Sequence, residues 1–254
     1  MAPISTPAVL LRAYDYGDSS RILRFYTQGH GLVSVVAKGV RGRLGKGGAG
    51  LGSFASGELT AYVKSHRDLH TMQDFSCRRM RDGLGRAMLR FAGASAVAEL
   101  VLSHTEQESH EGLYLALERA LDRLDSVPDV ELPAAVLAGL WTVTEALGFA
   151  PQVEPCVRCG ARLGATDVGR FDLAAGGVRC PRCAEGAAGS RIGPIARGHL
   201  ARLVGGELPG DLTHSKQHLS LVSDFIEYHV ASKPLKSFRF LAGLLPDDAA
   251  PAES

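Results

Sequence analysis

No apolar run in this chain of 254 residues approaches the roughly 18 residues that a membrane-spanning helix needs. The first nine residues lack a basic segment followed by a long apolar stretch, so they do not read as a signal peptide. A cytoplasmic location and no membrane partner are the default expectations. The motifs of several enzyme classes are missing too. There is no GxSxG elbow, no HExxH helix and no specific pair of carboxylates. The spacing GxxxxGK[ST] is unmatched, so nucleotide hydrolysis has no support. The nine histidines are scattered. His66 and His70 fall in strand-like sequence, and His214 and His218 have helical spacing without an acid or cysteine partner beside them. No catalytic site is expected.

Cysteine is scarce, with five in all. Four of them form two CxxC pairs, Cys156-Val-Arg-Cys159 and Cys180-Pro-Arg-Cys183, with 20 residues between the inner cysteines. That spacing is in the zinc-ribbon range, and in a chain without a secretory leader it favours metal over disulfides. Each CxxC turn places two sulfurs on one side of a tight knuckle. Two knuckles supply four thiolates at tetrahedral corners, about 2.3 Å from a zinc ion. Gly160 suits the left-handed residue that follows such a knuckle, and Arg158 and Arg182 offset part of the negative charge. Four protein ligands leave no open position, so the expected role of the Zn²⁺ is structural. Redox pairs and an iron occupant are the alternatives. Cys77 stands apart and is expected to be an inert, half-buried thiol.

Charge of one sign is not in excess overall, since the formal net charge is only +1. The distribution is uneven. Residues 1–80 hold 11 Lys and Arg against 5 Asp and Glu, whereas the remainder holds 17 against 22. A basic front end on a near-neutral chain points to a local polyanion site or to chance segregation of solvated charge. The densest cationic segment is Lys38, Arg41, Arg43 and Lys46, four cations in nine residues with no acid. Its glycines let the backbone approach a phosphate chain closely; the alternative is a solvated loop.

With 45% hydrophobic and 22% charged residues, the chain can bury a core. Residues 8–78 read as five short strands: an apolar run 8–11, then 20–26, 32–37, 59–63 and 69–75, with the basic loop 39–52 between the third and fourth. Five strands in so short a span suit a small barrel, a fold that places oligonucleotide-binding loops where the basic segment falls. Arg21, Arg24, Lys64 and Arg67 are expected to extend that surface. Tyr26, Phe54 and Tyr62 are candidates either for base stacking or for the core. From Leu84 the period becomes helical. Leu84, Met88, Phe91, Ala98 and Leu102 form one expected core stripe. Leu113, Leu117, Leu121 and Leu124 form a second, and Val136, Leu137, Leu140, Trp141, Thr144 and Leu147 a third. Residues 152–192 hold the cysteines and too few large apolar residues for a core. Helices resume over 195–203, over a segment marked by Leu219, Val222, Phe225, Ile226 and His229, and within 235–245. Residues 246–254 read as a disordered tail.

Taken in order, these features resemble the RecO family of recombination mediators. The resemblance is carried by Val9-Leu-Leu-Arg-Ala-Tyr-Asp-Tyr-Gly-Asp-Ser-Ser-Arg-Ile-Leu23 and by Tyr26-Thr-Gln-Gly-His-Gly-Leu-Val-Ser-Val-Val-Ala-Lys-Gly39. It continues in the cysteine pairs and in Pro234-Leu-Lys-Ser-Phe-Arg-Phe-Leu241, and so spans about residues 8–245. It implies an α+β protein. Residues 1–80 would form an N-terminal OB-fold barrel, and residues 81–245 a helical domain carrying an inserted four-cysteine zinc module at about 152–192. It implies binding of single- and double-stranded DNA, annealing of complementary strands, and partnership with RecR and with the tail of single-strand binding protein. RecA would be helped onto coated DNA, at the nucleoid, without enzymatic turnover. Lys38 and the cations after it match the family's DNA-binding loop. The helix around 219–229 with Lys233, Lys236 and Arg239 is a candidate for the protein tail. A zinc-ribbon adaptor without direct DNA binding is the rival from another class.

Overall fold

Alternating apolar residues over the first 80 positions drive a strand to each side of a closed surface. In the computed structural model, which describes residues 3–40, 50–63, 67–104, 109–230 and 233–246, these strands are β1 (Pro3–Tyr16), β2 (Ser20–Thr27), β3 (Gly31–Ala37), β4 (Ser56–Tyr62) and β5 (Leu69–Arg79). They close a barrel in the order β1-β2-β3-β5-β4, with β3 and β5 parallel and every other pair antiparallel. This is the expected five-stranded OB-type barrel. Leu10, Leu23, Phe25, Val33, Val35 and Leu59 fill its interior, with the Phe25 and Phe75 rings 5.0 Å apart. Closure depends on Gly57, where a Cβ would meet the Ser76 carbonyl oxygen at 2.2 Å.

β1 is longer than its opening apolar run, beginning at Pro3 and continuing to Tyr16. It pairs with β4 only over Pro3 to Val9, whereas its pairing with β2 runs on to Tyr16 opposite Ser20. Residues 12–16 are exposed throughout, so no alternation of hydrophobicity marks this stretch. Backbone pairing with β2 forms it instead.

A 3-10 turn, Asp82–Gly85, leads to α1 (Met88–His104), α2 (Glu111–Ser126) and α3 (Leu132–Ala146). The second stripe is buried in full. α3 is buried on nearly all sides, Trp141 included, as befits the central helix of the domain. The first stripe is corrected in part. Leu84 and Ala98 are buried as expected and Leu102 packs against the core, but Met88 and Phe91 are exposed, and α1 also buries Ala92, Ala94, Ala96, Val97, Leu100 and Val101. Small residues let the start of α1 pack closely; a Cβ at Gly93 would stand 2.6 Å from Val136 Cγ2. Met88 and Phe91 are left for the outer side.

Between α3 and the last helices lies a sheet that periodicity did not announce. It comprises β6 (Gly169–Asp172), β7 (Gly177–Arg179) and β8 (Ser190–Ile192), in the order β7-β6-β8, with the one-turn helix α4 (Pro181–Ala184) between β7 and β8. Its strands are only three or four residues long, too short for a periodic signal. Then come α5 (Pro194–Val204), α6 (Ser215–His229) and α7 (Lys236–Ala242). One core runs through α1–α3 and α5–α7, and Val153, Phe171, Val178 and Ile192 of the cysteine-bearing segment join it. Phe171 reaches the Phe225 ring of α6 at 6.1 Å.

The barrel rests on this core through Val9, Leu11, Tyr26 and Phe54. Arg81 locks the joint. Its buried guanidinium donates to Phe54 O at 2.6 Å and to Ser56 Oγ at 2.5 Å, and it pairs with Asp122 at 2.7 Å and Glu118 at 3.2 Å on α2. Among the described residues no helix is long and apolar enough to cross a membrane.

Candidate metal centre and nucleic-acid interface

The two CxxC segments converge. The ligand atoms of Cys156, Cys159, Cys180 and Cys183 all lie within 4.8 Å of one another, and they form the one such group among the described residues. The first knuckle is shaped by backbone. Cys156 N–H donates to Ala161 O, Gly160 N–H donates to Cys156 O, both at 2.8 Å, and Gly160 sits at φ +71° as its position requires. The second opens α4, where Pro181 starts the turn after Cys180. The Val157 N–H bond to Val178 O at 3.0 Å ties the first knuckle to β7, and Cys180 N–H donates to Cys156 Sγ at 3.3 Å across the two knuckles.

The donor set fits a metal ion. Bonds of about 2.3 Å to a tetrahedral centre place neighbouring sulfurs about 3.8 Å apart, and Cys159 Sγ and Cys180 Sγ are separated by 3.8 Å. All five cysteines are free thiols, so no disulfide competes. Protonation follows the crowding. Burial opposes ionisation of Cys156, yet N–H groups of Cys180, Cys159 and Arg158 turned toward its sulfur bring the thiol down to about 6. Cys183 is pushed up to about 12, first by its hydrogen bond with Cys159, then by desolvation and the sulfurs of Cys180 and Cys156. Four sulfurs this close cannot all carry charge without a cation among them. An ion held by all four has no open position for a reacting group.

The expected nucleic-acid residues are placed unevenly. Lys38 is exposed at the end of β3. Arg21 lies beside it, because its register partner is Ala37, and it pairs with Asp15 at 3.2 Å. Arg24 stands on the outer face between Arg12 and Ser34. Arg67 precedes β5, where Leu69 is level with Ser34; it is therefore near the start of β3, about 20 Å from Lys38 at 3.3 Å per residue. Arg41, Arg43, Lys46 and Lys64 lie outside the described residues. Tyr26 and Phe54 are buried in the joint with the helices, and Tyr62 is half-buried. Burial removes Tyr26 and Phe54 from the stacking candidates.

Other candidates also find their places. Leu219, Val222, Phe225 and Ile226 are core, and a pocket of about 400 Å³ lies against α6 at Gln217, Leu221 and Asp224, facing Ile192 and Ala196. A larger cleft of about 600 Å³ opens between the barrel and helices α1 and α7, bounded by Arg12, Phe54, Phe91, Glu99, Lys236 and Phe240. Sequence spacing had no means of finding it, since its walls come from three distant segments. His218 is buried against His199, ring to ring at 6.0 Å, with Asp211 at 3.5 Å from His199 Nε2. Cys77 is half-buried near Met80, its Sγ 3.4 Å from Sδ.

Comparison with known proteins follows this division. Residues 1–81 match the family described as Recombination protein O N terminal, and residues 86–239 match Recombination protein O C terminal. The chain belongs to the RecO family. Among relatives named DNA repair protein RecO, that of Anaeromyxobacter sp. (strain K) is 32% identical, covering 97% of this chain and 98% of its own. That of Anaeromyxobacter dehalogenans is 33% identical over 94% and 95%, and that of Desulfatibacillum aliphaticivorans 30% over 96% and 98%. The RecO match thus takes in the barrel, the helices and the cysteine-bearing sheet alike.

Proposed function

We propose that the protein is a DNA-binding recombination mediator without catalytic turnover. It binds single- and double-stranded DNA, anneals complementary strands, and helps RecA load onto DNA coated by single-strand binding protein. RecR and the tail of single-strand binding protein are its protein partners, and its place is the cytoplasm, at the nucleoid. The observation that carries this reading is membership of the RecO family across both halves of the chain, together with a net charge of +6 on residues 1–80.

The physical step is charge neutralisation. Two strands repel through their phosphates, and cations held on a rigid barrel lower that repulsion while the bases search for register. In this reading residues 1–80 are the DNA-binding domain, and Lys38 with Arg41, Arg43 and Lys46 supplies the first contacts. Arg21, Arg24, Lys64 and Arg67 widen the surface. The four cysteines hold one Zn²⁺, which would brace the segment at about residues 152–192 on the helical domain and take no part in DNA chemistry.

The test is annealing of complementary strands coated with single-strand binding protein. Faster annealing with the chain than without it is the expected result. Unchanged annealing, with no oligonucleotide bound even in dilute buffer, would overturn the reading. Binding to the protein tail alone would then favour the adaptor.

A further inference from the structure

The exposed end of the β1–β2 hairpin carries side chains that folding does not use. Past the irregularity between Leu10 and Arg12, residues Arg12, Tyr14 and Tyr16 alternate onto one face of β1. Their register partners on β2 are Arg24, Ile22 and Ser20. Leu23, the next residue of β2, is fully buried in the barrel, so the face of Arg24 is the outer one. Tyr14 is 42% exposed and Tyr16 51%, and neither belongs to the core. Arg12 and Arg24 sit directly opposite each other; neither makes an ion pair among the described residues, and the carboxylate that the Arg12 charge reaches is Glu99 in the cleft beside it. Like charges across a ladder are unfavourable unless something else neutralises them. The Arg12 guanidinium also lies 5.6 Å from the centre of the Tyr14 ring, which holds ring and cation together.

We infer that this face is a stacking platform for unpaired nucleotides, a deeper reading of the DNA-binding function proposed above and resting on it. Tyr14 and Tyr16 take bases, and Arg12 and Arg24 take the backbone phosphates. The spacing supports it. Alternate residues of a strand are about 6.7 Å apart, twice the roughly 3.4 Å rise per base of a stacked strand. One base therefore fits in thickness between the two ring positions. Arg12 also borders the cleft between barrel and helices, where Lys236 adds a cation and the exposed Phe91 and Phe240 add aromatic surface. A strand leaving the hairpin meets the same chemistry there. Glu99 in that cleft already accepts the N–H groups of Lys236 and Ser237, at 3.1 and 2.8 Å. On the hairpin's other face Asp15 is paired with Arg21. The recognition is for strands with free base faces; a duplex, whose bases are already stacked, gains only the phosphate contacts.

The full chain with Tyr14→Ala and Tyr16→Ala is compared with the parent for oligothymidylate and for a duplex of equal length. Each ring removed is expected to weaken single-strand binding on the order of tenfold, with duplex binding nearly unchanged. Tyr14→Phe with Tyr16→Phe keeps the rings and is expected to bind single strands close to the parent. If the parent binds single strands and the alanine pair binds them equally well, the platform is wrong and the mediator reading stands. Equal losses on single strand and duplex would also overturn it, by assigning the effect to charge or fold. So would loss of an acidic peptide with both DNA affinities intact. A parent that binds no oligonucleotide removes both readings together.

Discussion

The barrel and the cysteine-bearing sheet are both small β units, yet they are held by different physics. The barrel has its own sealed interior of Leu10, Leu23, Phe25, Val33, Val35 and Leu59. The sheet of β6–β8 lends its few large apolar residues, Phe171, Val178 and Ile192, to the neighbouring helical core and keeps four convergent sulfurs for itself. Apolar area stabilises at about 25 cal/mol per Å² and needs many residues. A metal ion held by all four sulfurs would concentrate its stabilisation in four side chains. The chain can therefore devote the barrel's outer surface to charge, since its fold rests on what is inside.

The largest expected effect separates the two units outright. If the four sulfurs hold the proposed Zn²⁺, its removal by a strong chelator forfeits a binding free energy of about 10–16 kcal/mol, and Cys180→Ser forfeits part of it. Amide exchange should rise across residues 152–192 and stay slow in β1–β5; equal protection before and after would break the contrast. The reciprocal experiment is Leu23→Ala, which empties part of the barrel interior and should cost about 2–5 kcal/mol in denaturant unfolding while metal stoichiometry is unchanged. Arg81→Ala addresses the joint. It strips the Phe54 carbonyl and the Ser56 hydroxyl of their buried donor and takes one cation from the part-exposed Asp122 and Glu118, and should cost about 1–3 kcal/mol. A loss confined to surface-pair size would mean that the barrel is seated by apolar contact alone.

A smaller effect concerns acid. Burial raises the pKa of Asp172, but the N–H groups of Ala175 and Ala174 and the Arg179 guanidinium outweigh it and hold the carboxyl below its ordinary value. A depressed folded value means that its stabilisation is full above the unfolded carboxylate pKa, about 3.9, and is lost as pH falls through the folded one. Asp172→Asn should flatten the acid limb of the unfolding curve for the β6–β8 segment. An identical acid limb in the variant would remove Asp172 from the account.

The contrast also governs what was legible beforehand. The cysteine pairs declared themselves by spacing alone, because metal geometry acts on local turns. The interior strands of the barrel were legible because burial alternates along β3 and β4. The end of β1 was not, since residues 12–16 are exposed and only pairing with β2 orders them. The buried side of α1 was misread in part because Ala92, Ala96 and Gly93 pack there while Met88 and Phe91 face outward; size was a poor guide where close approach mattered. The cleft joins Arg12, Phe91 and Lys236, residues that only the folded chain brings together.

The central claim is that cations on the barrel attract polynucleotide backbones. Its most direct test is the salt dependence of single-stranded DNA affinity. With about four phosphates neutralised, the slope of log affinity against log salt should be roughly −3, and Lys38→Ala should reduce its magnitude by about 0.7. An affinity that does not change with salt would contradict the account.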